Sequence, residues 1–428
     1  MGDRRRAGDD PGAVSTALEV PVHAVFFTFP LHGHVNPTLG LVAELVRRGH
    51  RVTYATTPEF AGAVAGAGAR PLIYDNVMPR SLDLVIKPPG EVSHEEFHAS
   101  ILTITDEGFA PLDQAHDALD GDRPDVVLHD LTAFHTGRAL ALRWGVPAVQ
   151  LCTTIVFNEA FNPYLRFTGL HPEIDPAHPA ITGEREVVVK ALAGQGLDMT
   201  PEQFRADQSA VRASLVFLPR ELQVGQEHFG PEYAFVGPCL SERAFQGEWV
   251  PTTPRDPQRP LVVVAFGTFG YTSQGRLFAE CVREFADKPW QVVLVVGNRV
   301  DPAELEPLPD NVEVHRWVPQ LALLAETDVF VSHAGMGSVV EALWTRTPVV
   351  LLPQLTEQDL VAEQVAELGV GRVVPREELG GAAVAAAVES LLADDGIGER
   401  LDRLRAAMVD AGGAVAAADV VEGVAQAG

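Results

Sequence analysis

A chain of 428 residues is long enough for two cores of about 200 residues each, and 46% hydrophobic with 21% charged residues is ordinary for a globular protein. The net charge of −26 argues against gripping nucleic acid or an anionic membrane through a broad basic face. It also means that any phosphate site must be built locally, from backbone amides and a few polar side chains.

Residues 1–20 carry Arg4, Arg5 and Arg6 but no long apolar stretch, and read as a disordered polar leader rather than a signal peptide. The first strand is expected over 22–29 (VHAVFFTF). The turn FPLHGHVNP follows, then a helix with apolar Leu39, Val42, Leu45 and Val46. Further strands are expected at 51–56, 124–130, 147–152, 214–219 and 233–237. Between them, 153–210 has little strand periodicity but holds Phe157, Phe161, Tyr164 and Phe167, and is expected to form a partly helical wall of a binding cleft. Residues 238–259, rich in Pro and polar residues, read as an interdomain linker.

A second series starts at 260–267 (PLVVVAFG) and continues at 291–297, 311–317, 328–335 and 348–353. These near-continuous Val/Leu runs suit strands buried on both faces. The tail from Glu399 sets Leu401, Leu404 and Met408 at helical spacing. Alternating strands and helices predict an α/β fold with two Rossmann-like domains, 21–237 and 260–428, and ligands at the carboxyl ends of parallel strands. Cys152, Cys239 and Cys281 lie in or beside apolar stretches without metal or disulfide spacing, so buried reduced thiols are expected. No run of about 18 apolar residues is present to span a bilayer. The cytoplasm is the expected compartment.

The strongest local signal is DVFVSHAGMGSVVEALW (328–344): a buried strand, a glycine-rich turn and a helix starting near Gly337. Such a helix start exposes unpaired amides at the positive end of the macrodipole, where phosphate oxygens bind. Gly335 and Gly337 allow close backbone approach, Ser338 adds a hydroxyl, and His333 can donate to a pyrophosphate. Glu341, three residues past Ser338, suits ribose hydroxyls. Upstream, Trp317 and Gln320 offer a stacking face and an amide to a base. Downstream, Glu357 and Gln358 follow another buried strand and can hold sugar hydroxyls.

In the first half, His34 follows the first strand and Asp130 ends the strand PDVVLHD. An imidazole oriented by a carboxylate is a usable general base at neutral pH for activating an alcohol. His32 lies two positions away, whereas His129, His135 and His315 read as structural. Asp120-Gly-Asp122 sits in a polar turn before a strand and is not expected to hold a metal.

Taken together, Trp317-Val-Pro319-Gln320, Ser332-His333-Ala-Gly335, Ser338, Glu341, Pro348, Pro353 and Glu357-Gln358 resemble the donor signature of family-one glycosyltransferases of the GT-B fold. FPLHGHVNP (29–37), VLHDLT (127–132), RWGVPAVQL (143–151) and LPDNVEVHRWVPQLALL (308–324) resemble bacterial macrolide glucosyltransferases. The resemblance implies two Rossmann-like domains facing across a cleft, with the C-terminal helix packing back toward the first. It implies base stacking on Trp317, base-edge contact from Gln320, pyrophosphate contacts from His333, Ser338 and Thr268, and ribose contact from Glu341. His34 is then the base and Asp130 its partner, in an inverting, metal-independent transfer from a nucleotide sugar to a hydroxyl of a small hydrophobic natural product. No cofactor is implied beyond that co-substrate.

Two positions depart from the pattern. The usual Asp-Gln pair is Glu357-Gln358, and the Asn three residues after that Gln is Val361. UDP-glucose is the first donor expected and a dTDP-deoxysugar the second. The acceptor pocket is expected from loops 75–100 and 153–200. A nucleotide-sugar epimerase would need carboxylates around the sugar and no acceptor pocket. A non-catalytic auxiliary partner would not need His34, Asp130, His333 and Glu341 all intact.

Overall fold

A computed structural model describes residues 21–77, 92–170, 172–240, 248–267 and 274–427. The expected leader, part of the linker, Thr268 and much of the first acceptor loop therefore lie outside the described residues, as does the side chain of Phe167.

Strands β1 (His23–Phe27), β2 (Arg51–Thr56), β3 (Arg70–Ile73), β4 (Val126–Asp130), β5 (Ala148–Cys152), β6 (Val211–Val216) and β7 (Tyr233–Phe235) form one parallel sheet, in the order β3-β2-β1-β4-β5-β6-β7. Strands β8 (Leu261–Ala265), β9 (Gln291–Val295), β10 (Val312–His315), β11 (Val329–Ser332), β12 (Val349–Leu351) and β13 (Gly371–Val373) form a second, in the order β10-β9-β8-β11-β12-β13. Parallel neighbours require crossover connections, and alternate residues serve opposite faces. Ala24 and Phe26 join one apolar cluster while Val25 and Phe27 join another. Both sheets reverse their order at one place, between β1 and β4 and between β8 and β11, where crossover helices leave on opposite faces and open a crevice at the strand ends.

The eleven expected strands are present, although β6 begins three residues earlier than the sequence suggested. Two edge strands, β3 and β13, were not expected. They have four and three residues, and contain Pro71 and Gly371, which weaken any local strand signal.

The two halves share an apolar interface. Ile155, Val156, Leu218, Leu222 and Phe229 belong to one buried cluster with Val339, Leu343, Leu360 and Val361. The last helix, Gly413–Ala427, returns to the first sheet. Its Ala417, Ala418, Val421 and Val424 share a cluster with Val35, Leu39 and Val42 of the helix His32–Arg47. Polar contacts fix the same docking: His50 Nε2 lies 2.7 Å from Glu422 Oε1, and Arg48 reaches both Asp419 and Glu422. Where the chain passes between the halves, the Gly413 N–H donates to the Val236 carbonyl at 2.7 Å. The three cysteines are buried and free. Among the described residues no helix is long and apolar enough to cross a membrane.

Candidate active site

The helix after β1 starts at His32, so HGHVNP forms its opening turns and Pro37 lies inside it. This places the helix start earlier than a turn followed by a helix. The Leu31 carbonyl accepts the N–H groups of both His34 and Val35 at 2.9 Å, closing the first turn around the motif. His34 is thereby held on a rigid element.

Asp130 ends β4, the strand beside β1 at the reversal point. His34 Nδ1 lies 2.8 Å from Asp130 Oδ2. The other oxygen, Oδ1, accepts the Thr132 N–H at 2.6 Å and the Ala133 N–H at 3.3 Å. Burial alone would raise the Asp130 pKa. The His34 charge and hydrogen bond, with those two amides, outweigh it and keep the carboxyl below its usual range. Burial likewise pulls the imidazole down, but the Asp130 charge and hydrogen bond, joined by the Glu357 charge, hold it above its ordinary 6.5. Because a carboxylate only accepts, the neutral ring carries its proton on Nδ1 and presents a lone pair on Nε2. Nε2 makes no hydrogen bond among the described residues, and the side chain is 21% exposed beside an Asp130 side chain that is 1% exposed.

The remaining histidines are differently employed. His32 is half exposed, 3.5 Å from Glu59 and edge-on to Phe60. Burial holds His129 at about 4 and His135 at about 3. His315 lies 3.3 Å from Glu313. In the Asp-Gly-Asp turn, Asp120 accepts the Trp144 indole N–H and Asp122 pairs with Arg51.

At the second reversal point, β11 ends at Ser332 and the helix Met336–Trp344 begins after Gly335. Ala334 takes a left-handed φ of 64° to make the turn. Among the described residues no side chain caps the helix start, which leaves its first-turn amides to an anion. The His333 ring fits between two glycines. A Cβ on Gly267 would lie 2.6 Å from its Cε1, and one on Gly335 would lie 2.4 Å from its Nε2. Burial lowers His333 to about 4, so the ring is neutral at pH 7.

Gln320, Ser338 and Glu341 form one network. The Gln320 amide donates to Ser338 Oγ at 3.2 Å and to Glu341 Oε2 at 2.8 Å. Trp317, just past β10, is 60% exposed.

The Glu357-Gln358 pair divides its duties in a way the sequence did not reveal. Gln358 is buried, and its Oε1 accepts the N–H groups of Gln354 at 2.8 Å and Leu355 at 3.2 Å, capping its own helix, Thr356–Glu367. Only its amide N–H groups remain for a ligand. Glu357 Oε1 accepts the hydroxyl of Thr154, a residue of the first half two positions beyond β5, at 2.7 Å. Thr154 was not singled out from sequence. Its place after a strand end was the available signal, and threonine is too common there to stand out. In the segment after β5, Phe157 is exposed and edge-on to Tyr164, while Phe161 stacks on His228.

Known proteins share this architecture and sequence. Residues 281–422 match the family described as Erythromycin biosynthesis protein CIII-like, C-terminal domain. The chain is 37% identical to the oleandomycin glycosyltransferase of Streptomyces antibioticus, over 95% of this chain and 92% of that one. It is 35% identical to the demethyllactenocin mycarosyltransferase of Streptomyces fradiae, over 99% and 90%. The crystal structure of CalG4, the calicheamicin glycosyltransferase, superposes with a TM-score of 0.78 at 35% identity, covering 95% of this chain and 99% of that one. Two parallel sheets with crevices at their reversal points, together with this similarity along nearly the whole chain, lead to one conclusion: the protein belongs to the family-one glycosyltransferases of the GT-B fold, alongside the macrolide and natural-product glycosyltransferases.

Proposed function

We propose that the protein transfers a sugar, with inversion and without a metal, from a nucleoside diphosphate donor to a hydroxyl of a small hydrophobic natural product such as a macrolide. The single observation that carries this is the His34–Asp130 pair, with Nε2 unengaged among the described residues and the Glu357 charge acting on the same imidazole. In this reading the first domain holds the acceptor against the wall around Phe157 and Tyr164. Nε2 takes the proton of the acceptor hydroxyl, whose oxygen attacks the anomeric carbon from the face opposite the nucleotide. As the anomeric C–O bond breaks, the electron pair stays on the diphosphate, and the amides at Gly337 and Ser338 meet the charge that develops. Trp317 stacks on the base, Gln320 meets its edge, Glu341 holds the ribose, and His333, Ser338 and Thr268 contact the diphosphate. The nucleotide sugar is a co-substrate, and no further cofactor takes part.

UDP-glucose is the donor we expect first. A dTDP-deoxysugar is the second reading, favoured by Val361, which is 1% exposed within the apolar interface and presents no polar group to a sugar hydroxyl. A panel of UDP-glucose and dTDP-sugars against an aglycone library, with mass detection of products, decides between them. In the same assay His34→Ala is expected to lose roughly 100-fold or more of kcat/KM. Wild-type turnover in that variant would end the proposed mechanism.

A further inference from the structure

Resting on the transferase reading above, we infer that Thr154 is a positioning residue for donor-sugar recognition: its hydroxyl, from the first domain, pins one oxygen of Glu357 so that the other is presented to the sugar.

The argument starts with how rigidly Thr154 is held. It follows the end of β5 and precedes Ile155 and Val156, which are 0% and 1% exposed. The Val156 N–H donates to Gln223 Oε1 at 2.9 Å, and Gln223 Nε2 donates back to the Val156 carbonyl at 3.0 Å. Buried side chains and a two-way amide clamp therefore fix the backbone that carries the hydroxyl. Glu357, by contrast, has no capping duty of its own, since Gln358 performs that task. The Thr154 hydroxyl orders it through a charge-assisted bond of 2.7 Å across the two halves. Glu357 Oε2 makes no hydrogen bond among the described residues and is left as an acceptor.

This arrangement gives a physical reason for Glu at a position where the family pattern has Asp. Shortening the side chain by one methylene would withdraw the carboxylate by about 1.5 Å, enough to break a 2.7 Å bond to a fixed partner. The pair Thr154–Glu357 then acts as one unit, and sugar choice depends on a residue of the acceptor domain. The same bond keeps the Glu357 charge close to His34 and Tyr164, on both of which it acts.

The test compares Thr154→Val, Thr154→Ser, Glu357→Asp and the double variant Thr154→Val/Glu357→Asp. Two readouts are used: kinetics with UDP-glucose and the best acceptor found, and calorimetric titration with UDP alone. Thr154→Val is expected to raise the donor KM about tenfold while leaving the UDP affinity within about twofold. Thr154→Ser keeps the hydroxyl and should restore donor KM. The double variant should be no worse than the poorer single one, because both remove the same bond. An unchanged donor KM in Thr154→Val, no rescue by Ser, or additive losses in the double variant would each overturn the inference while leaving the transferase reading intact. A wild-type protein that binds UDP yet transfers no sugar from any donor would overturn both.

Discussion

His34 Nδ1 and Asp130 Oδ2 are 2.8 Å apart, and the chemistry proposed for the first domain rests on that contact. In the proposed mechanism the carboxylate, buried and supported by two backbone amides, stabilises the imidazolium that forms when His34 takes a proton. It also fixes a pH dependence. If His34 is the base, as proposed, it works only when unprotonated, and because its pKa is raised from the ordinary 6.5 the acid limb of kcat/KM should fall above that value. Asp130→Asn removes the anion and leaves burial as the dominant influence, so the limb should move to lower pH with a reduced plateau. A kcat/KM profile from about pH 5 to 9 checks this, and a limb that stays in place would assign it to another group. His129 shows how far one residue of register matters. It neighbours Asp130 in sequence, yet faces the other side of β4 and is held near 4.

At the scale of elements, the strand–turn–helix unit from β11 through Met336–Trp344 is organised around an imidazole between two glycines. Gly335 has φ −64° and ψ 131°, an ordinary conformation for any residue, so it is the closeness of His333 rather than the backbone that calls for glycine there. Gly335→Ala should therefore push His333 aside with little backbone strain. We expect roughly a tenfold loss in UDP affinity by calorimetry, with a lowered melting temperature because the buried ring must be displaced. A variant that kept full affinity would remove His333 from the diphosphate site. The helix His32–Arg47 carries a related lesson. Sequence alone suggested that HGHVNP, with its glycine and proline, was a turn. The Leu31 carbonyl recruits it into the helix instead, and the His34 imidazole gains a rigid support.

Across the whole molecule, the chain ties its halves together by sending its last helix home to the first sheet. Val421 is fully buried in the cluster that contains Val35, Leu39 and Val42, so Val421→Ala leaves a cavity between distant parts of the chain. A loss of about 2 kcal/mol in urea unfolding is expected. An unaffected midpoint would mean that the helix adds nothing to the stability of the first domain. The charge of −26 sets a further constraint at this scale, since the global field repels a diphosphate. Local helix-start amides and a neutral His333 suit such a molecule better than a bulk positive surface would.

By itself the sequence determined the fold class and eleven of the thirteen strands found among the described residues. Buried parallel strands are written as continuous Val/Leu runs, and the motifs fall at strand ends by topology. What it did not contain is the set of contacts made between residues far apart along the chain. Thr154 meets Glu357 across 203 positions, and β3 and β13 exist as strands because neighbouring strands offer them a ladder. Gln358 looks like a free ligand until the packing of its helix start claims its carbonyl oxygen. Local pattern encodes what a segment can do alone. Only tertiary packing decides which polar atoms are already spent and which are left for a substrate.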